Sequence, residues 1–410
     1  MENRYDKYKD SGIAWIGEIP EHWDKNKIIR LFSIIGSGTT PKSSKEDNYI
    51  GSVNWIQSGD INGGYIENCK NTISDTALKE YPTLKIYKAP FIIVAMYGAS
   101  VGNISISNID GCVNQACCVM NETKQNFKYL FYAMNSVKRY LIYKAEGGGQ
   151  PNISQDKIKN TWMPIPPFEE QQSIATYLDQ KCGEIDELIT LQEEMITKLQ
   201  SYKQSVITEA VTKGLDKNVP LKDSGIEWIG EIPEHWKVVK IKYLAKIKSG
   251  DSISSNELIQ AGIYEVYGGN GLMGYCNKNN VNGFNIIIGR VGALCGNVRL
   301  ISDSKFITDN ALILNCFDNA LYPYMYIMLK AANLNNLNTS NAQPLITGSK
   351  VLNVSLPIPP LSEQQSIADY LDQKCSEIDE LISIKQQKIE KLKDYKKSLI
   401  FECVTGKRKV

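Results

Sequence analysis

Only two histidines occur in the 410 residues, His22 and His235, and both sit in the same tetrapeptide, PEHW. A general base needs a partner held within hydrogen-bond reach, so an imidazole recurring in a repeated segment reads as structural. The ten cysteines are scattered singles apart from adjacent Cys117 and Cys118, with no C-x-x-C spacing. Zinc needs thiolates or imidazoles in close pairs, so no metal site is expected and the cysteines read as small hydrophobes. A phosphate-cradling GxxxxGK[ST] loop is missing, because Gly348-Ser349-Lys350 and Gly406-Lys407-Arg408 lack the leading glycine and the final Ser/Thr. A base-flipping amino-methyltransferase would carry Asn, Asp or Ser before Pro-Pro-aromatic. Here Ile165 precedes Pro166, Pro167 and Phe168, and the second copy ends in Leu361, so the segment reads as a helix start. No catalytic residue and no cofactor is expected.

Repeats settle the organisation. KDSGIAWIGEIPEHW at Lys9–Trp23 returns at Lys222–Trp236 with one change. PIPPFEEQQSIATYLDQKCGEIDELI at Pro164–Ile189 returns at Pro357–Ile382 with 22 of 26 positions identical. The middles are freer, yet Tyr97–Ile104 aligns with Val291–Val298 and Gly147–Ser154 with Ser340–Thr347. Within the first middle, Ala89–Met96, Gly102–Ile106 and Gln115–Met120 read as strands between Gly and Asn turns. Leu130, Met134, Val137 and Leu141 mark an amphipathic helix over about Phe127–Lys144.

The constant block reads as a long helix, opened by Pro166 and Pro167 with Glu169 and Glu170 in its first turn, where carboxylates meet the positive dipole end. Its seam alternates steps of four and three through Leu178, Cys182, Ile185, Ile189, Gln192, Ile196, Leu199, Lys203 and Val206. The copy runs through Leu371, Cys375, Ile378, Ile382, Lys385, Ile389, Leu392, Lys396 and Leu399. Unpartnered, such a seam leaves a Leu/Ile stripe in water, and the nearest partner is the other copy, with Gln192 and Lys385 as register-setting polar positions. Antiparallel pairing would place the two middles at opposite ends of a rod.

The expected fold is α+β: two tandem, β-rich mixed α/β domains, each followed by a long helix, the helices pairing as an antiparallel coiled coil with pseudo-twofold symmetry. The expected boundaries are 1–163, 164–213, 214–356 with its entry segment, and 357–410. At about 150 residues per domain the length suits this plan. The composition, 42% hydrophobic and 22% charged, excludes fibrous and disordered classes. No apolar run approaches the ~18–20 residues of a membrane span. The charged MENRYDKYKD start lacks a signal-peptide core, so a cytoplasmic location is expected.

Net charge is only +1, but it is unevenly spread. Residues 24–163 hold 16 Lys/Arg against 11 Asp/Glu, residues 237–356 hold 11 against 6, and residues 164–236 hold 6 against 14. Two basic middles on an acidic spacer suit a polyanion met at two places.

This plan resembles the DNA-specificity subunit of type I restriction-modification enzymes. The likeness rests on the two recurring blocks in order, on Trp55–Ile61 (WIQSGDI), on Tyr267–Tyr275 (YGGNGLMGY) and on the QPNIS and QPLIT segments. It covers essentially the whole chain. The resemblance implies a non-catalytic subunit whose variable target-recognition domains each read one half of a split sequence in double-stranded DNA. The helices would act as a ruler and bind two methyltransferase subunits and, through them, the motor-nuclease subunits.

Base edges are read by Arg, Lys, Asn, Gln, Asp and Glu, and phosphates by Lys, Ser, Thr and backbone N–H. Loops rich in these types supply the candidates. In the first domain they are Thr39, Lys42, Ser44, Lys45, Gln57, Ser58, Asp60, Tyr97, Ser100, Asn103, Gln150 and Asn152. In the second they are Lys248, Ser249, Ser252, Asn270, Arg290, Asn297 and Gln343. Asp60 and Asn103 could equally cap turns. Trp15, Trp23, Trp228 and Trp236 suit either partner anchoring or core packing. The alternatives are a DNA-modifying enzyme fused to recognition domains, which needs a constellation not found above, and a coiled-coil adaptor with two protein-binding domains. The adaptor would bind without dependence on duplex sequence or salt.

Overall fold

The structure, a computed structural model, describes residues 4–145, 152–292, 294–338 and 344–410. The chain forms two compact units, one of residues 1–191 with 388–410, the other of residues 192–387.

In the first unit a five-stranded sheet has the order Ile34–Gly36, Cys117–Asn121, Phe91–Ala95, Ile104–Ser107, Tyr65–Ile66. The central strand, FIIVA, is buried at every position, as an apolar run covered on both faces should be. Its alternation divides two cores. Ile92 and Val94 join one core with Ile104, Cys118 and Met120. Phe91, Ile93 and Ala95 join another with Ile56, Val113 and Val119. A smaller sheet places Val53–Ile56 between Cys112–Val113, parallel to it, and Thr72–Ile73, antiparallel. The helices here are α1 (Asp75–Glu80), α2 (Phe127–Tyr143), α3 (Gln155–Lys159) and the first half of α4 (Phe168–Lys213). The four-three spacing foreseen for α2 is the buried stripe: Leu130, Met134, Val137 and Leu141 all lie in the first core. Asn126 caps it, its side chain accepting from the Tyr129 N–H.

The second unit repeats this plan. A four-stranded sheet has the order Ala245–Ser249, Ala311–Cys316, Asn285–Gly289, Val298–Ile301. A three-stranded sheet again carries one parallel pair, Tyr264–Gly268 with Phe306–Ile307. Its helices are α5 (Tyr322–Ala331), α6 (Gly348–Leu352) and the first half of α7 (Leu361–Val404).

The long helices pack antiparallel within each unit, as the heptad phase requires. In the first, Leu399, Cys403 and Val404 of α7 share the core of Leu178, Cys182 and Ile185 of α4, and Lys396 Nζ bridges Asp186 at 2.7 Å. In the second, Val206 and Ala210 of α4 join Ile367 and Leu371 of α7, and Lys203 Nζ bridges Asp379 at 2.6 Å. The polar seam pair also meets, Lys385 Nζ lying 3.4 Å from Gln192 Oε1. Each seam Leu or Ile withdrawn from water contributes about 1.5–3 kcal/mol, far more than the exposed ion pairs at its margins.

Helix starts are clamped by the repeated PEHW segment. Glu170 accepts from Trp23 Nε1 and the Tyr5 hydroxyl at 2.9 Å each, and pairs with His22 Nε2 at 2.6 Å. Glu363 repeats this with Trp236 at 3.0 Å and His235 at 2.7 Å. Trp23 and Trp236 are fully buried, so these two anchor the core. Trp15 packs partly buried against Tyr140 and Phe401, while Trp228 is 39% exposed. Partial burial opposes ionisation of Glu170, but the hydrogen bonds from Trp23, His22 and Tyr5 prevail and hold its carboxyl below the ordinary 4.5. A depressed carboxyl contributes stability that is complete above its unfolded value and lost as pH falls through the folded one. Denaturation midpoints should therefore fall more steeply below about pH 4.5 in the native chain than in Glu170→Gln, and equal slopes would refute the clamp's ionic character.

Helix ends are closed in the same duplicated way. Gly214 and Gly406 take positive φ, +74° and +70°, the left-handed residue that terminates a helix. A Cβ on Gly214 would lie 3.1 Å from the Trp236 ring, and one on Gly406 would lie 2.2 Å from Pro20. The buried tyrosines of α2 and α5 tie the layers together, Tyr129 donating to Pro164 O at 2.8 Å and Tyr324 to Pro357 O at 2.9 Å. Tyr324→Phe should destabilise by about 1–1.5 kcal/mol in urea titrations, and a neutral result would show that hydrogen bond to be dispensable.

Burial pushes several thiols up, Cys182 to about 11 and Cys112, Cys118, Cys316 and Cys403 to about 12. The thiolate is the reactive form. Iodoacetamide at pH 8 should therefore spare Cys112, Cys118, Cys182 and Cys403 in the folded chain and modify them in denaturant. Labelling at equal rates in both states would contradict it.

Candidate nucleic-acid interface

In each unit the two sheets are joined where a Ser-Gly dipeptide crosses a strand end. A Cβ on Gly38 would lie 1.6 Å from Val113 O, and one on Gly250 would lie 2.3 Å from Thr308 O. Only glycine permits that approach, and it fixes the following loops, Thr39–Lys45 and Asp251–Ser255, beside the parallel strand pair.

Around that point the first unit gathers three of the loops singled out by residue type. Ser100 Oγ donates to Ser58 O at 2.6 Å, and Asn103 Nδ2 to Ile61 O at 2.9 Å. Asp60 accepts from the Gln57 N–H at 2.8 Å, so Asp60 and Asn103 do hold turns. Lys138, from α2, donates to Asn103 Oδ1 at 2.7 Å, and burial foremost, with Lys397 nearby, lowers its pKa. Gln115 accepts from Thr40 Oγ1 at 2.5 Å. Tyr97 is half-buried against the core, and burial pushes its phenol up. Thr39 is half-buried; Lys42, Ser44 and Asn152 are exposed. Lys45 is exposed and paired with Glu80 at 2.5 Å.

The second unit brings corresponding segments together. Lys248, Ser249 and Ser252 are exposed at the end of the edge strand, and Asn270 and Asn297 are exposed on neighbouring loops. Arg299 fastens the Gly269–Asn270 turn, its guanidinium donating to Gly269 O at 3.2 Å and Asn270 O at 3.1 Å. Arg290 Nη1 donates to Ser249 Oγ at 3.2 Å and lies 3.4 Å from Asp309 O. Gln150 and Gln343 lie outside the described residues.

Sequence reasoning missed Gln115, Lys138, Thr308, Asp309 and Arg299. Aligning Val113–Ala116 with Ile307–Asn310 would have found three of them. Lys138 sits in a helix whose pattern spoke only of its buried face. What results in each unit is a surface of Lys, Arg, Ser, Thr and Asn groups on a rigid two-sheet frame, suited to phosphate oxygens and base edges. Among the described residues no cluster of three or more His, Cys, Asp or Glu could hold a metal, and no helix is long and apolar enough to cross a membrane.

Residues 20–200 and 233–394 match the family described as the type I restriction modification DNA specificity domain. The chain belongs to this family. Among curated proteins it is similar to the putative type I restriction enzyme MjaX specificity subunit of Methanocaldococcus jannaschii, 27% identical over 96% of each chain. The EcoprrI specificity subunit of Escherichia coli is 24% identical over 84% of this chain and 86% of that one. Its fold is that of a chain in a solved type I R-M assembly, with TM-score 0.74 at 17% identity over 95% and 99% of the two chains. It is also similar to the HsdS subunit of Thermoanaerobacter tengcongensis, TM-score 0.52 at 18% identity over 95% and 98%. As a type I specificity subunit the chain serves DNA target recognition, and the two matched stretches take in both loop surfaces described above.

Proposed function

We propose that each of the two variable domains reads one half of a split duplex target, and that the chain itself performs no chemistry. The observation that carries this reading is the duplicated frame: four sheet strands in the same order, a parallel pair in the smaller sheet and the same Ser-Gly crossing occur in both units, under different loop side chains. One frame with two sets of reading groups suits two unlike half-sites. The domain limits that follow are 1–163, 164–213, 214–356 and 357–410, with α4 and α7 acting as the spacer. Those helices also dock two methyltransferase subunits, through which motor-nuclease subunits join, in the cytoplasm. In support, Leu188 and Leu191 on α4 and the matching Leu381 and Ile384 on α7 are exposed apolar groups, more than a helix needs when its seam is already paired.

Co-expression with a methyltransferase subunit, followed by mapping of methylated bases over a random-sequence plasmid pool, tests the reading. A split motif with one fixed spacer is expected. A continuous motif, or methylation by the 410-residue chain alone, would overturn it.

A further inference from the structure

The two loop frames can be superposed residue by residue through their backbone hydrogen bonds. Ala95 N donates to Asn103 O and Gly289 N to Asn297 O; Gly102 N donates to Ala95 O and Gly296 N to Gly289 O. Met96 N donates to Ala116 O and Arg290 N to Asn310 O, while Met96 O accepts from Ile153 N and Arg290 O from Ile346 N. Met96 and Arg290 thus occupy one position of one frame. In the first unit the side chain there is a core methionine, 7% exposed. In the second it is an arginine.

An arginine on a position built for an apolar side chain is poorly served. Its Nε is buried with no hydrogen-bond partner among the described residues, and so is the Oγ1 of neighbouring Thr308, itself 2% exposed. Among the described residues a single nitrogen, Nη1, makes both of its side-chain hydrogen bonds, at 3.2 and 3.4 Å. Five donors in a fixed fork are held by two long bonds from one corner. Leaving a buried donor unmet costs more than a neutral replacement would, so stability does not account for this arginine. Gly268, Gly269 and Gly289 let the backbone close in around this position, since a Cβ on them would lie 2.5 Å from Met273 Sδ, 2.8 Å from Asn310 O and 2.7 Å from Leu294 O respectively.

We infer that Arg290 is a specificity-determining residue of the second domain, and that it reads a guanine in that domain's half-site through the O6 and N7 edge. Its weak parking on Ser249 and Asp309 lets the fork turn outward at little loss. Guanine is the base whose two acceptors match the fork, and arginine on guanine is the commonest specific contact in DNA recognition. The first domain, with Met96 at this position, reads without a counterpart. This inference rests on the split-target reading above.

The test is the methylation map of the co-expressed complex with the native chain, Arg290→Met and Arg290→Lys. Methionine is the residue that the first frame already accommodates, so Arg290→Met should remain folded, with its melting temperature as the control. The expected result is a guanine in one half-site of the native motif that Arg290→Met tolerates as any base, a loss of roughly tenfold to a hundredfold in discrimination, while the other half and the spacer are unchanged. Arg290→Lys should retain part of the preference. An unchanged motif in Arg290→Met overturns the assignment while leaving the split-target reading intact. So does uniform weakening on all sequences, which marks a phosphate contact. A native map without a split motif removes both.

Discussion

Trp236→Ala should destabilise the second unit by about 3–5 kcal/mol, the loss expected for a fully buried tryptophan. Trp236 is 0% exposed, its indole N–H is bonded to Glu363, and the glycine ending α4 packs on its ring. One truncation therefore opens a cavity, leaves a carboxylate short of a donor and loosens both a helix start and a helix end. Against the 5–15 kcal/mol typical of a folded domain, such a loss lowers the urea midpoint by about 1 M or more. Trp228→Ala, in the same repeated segment but 39% exposed, should shift it by no more than about 0.5 kcal/mol. Far-UV circular dichroism through a urea titration, which does not rely on the deleted fluorophore, reads both. Equal midpoints for the two variants would show that the indole clamp contributes nothing beyond surface area.

That contrast marks where the sequence was informative. Trp228 and Trp236 lie eight residues apart in one repeated block, and residue type alone left partner anchoring and core packing open for both. The long helices were legible because a four-three seam running from Leu178 to Val206, and again from Leu371 to Leu399, has one physical solution, a partner helix along it. The central strand of the first unit was legible because FIIVA, Phe91–Ala95, is apolar without alternation. The closing of each unit was not. The contacts of Tyr8 with Gly406 and of Lys407 with Glu18 span nearly the whole chain, and no local period encodes them. The correspondence of Val211–Gly214 with Val404–Lys407 was the available signal.

The loop surface was legible by type and not by arrangement. Which loops meet is decided by parallel pairs only two residues long, Cys112–Val113 and Phe306–Ile307, too short to carry a period. Hence Lys138, Arg299 and Asp309 escaped notice, although each bonds a residue that was noticed. Arg290 was picked for its charge, but its meaning came from the methionine that takes its place in the other frame, a comparison that needs the backbone hydrogen bonds.

Exchanging Lys248–Ser255 for its counterpart in the first frame, Gly36–Ser43, should change one half of the methylated motif and leave the other half and the spacer as they were. The exchange is structurally conservative, because Lys248 pairs with Ile313 as Gly36 pairs with Val119, and both segments carry the Ser-Gly crossing in register. What changes is the set of groups presented: Lys248, Asp251 and Ser252 give way to Gly36, Thr39 and Thr40. Each base whose contact is lost costs about 1–3 kcal/mol, so two such bases reduce methylation at the native site by roughly a hundredfold or more. Loss of both halves together would mean that the loop supports folding or subunit assembly, and an unaltered motif would place base recognition elsewhere on the unit. A one-sided change, with the spacer held constant, would assign the choice of bases to the loops and, on the split-target proposal, leave the distance between the half-sites to the paired helices, which the exchange does not touch.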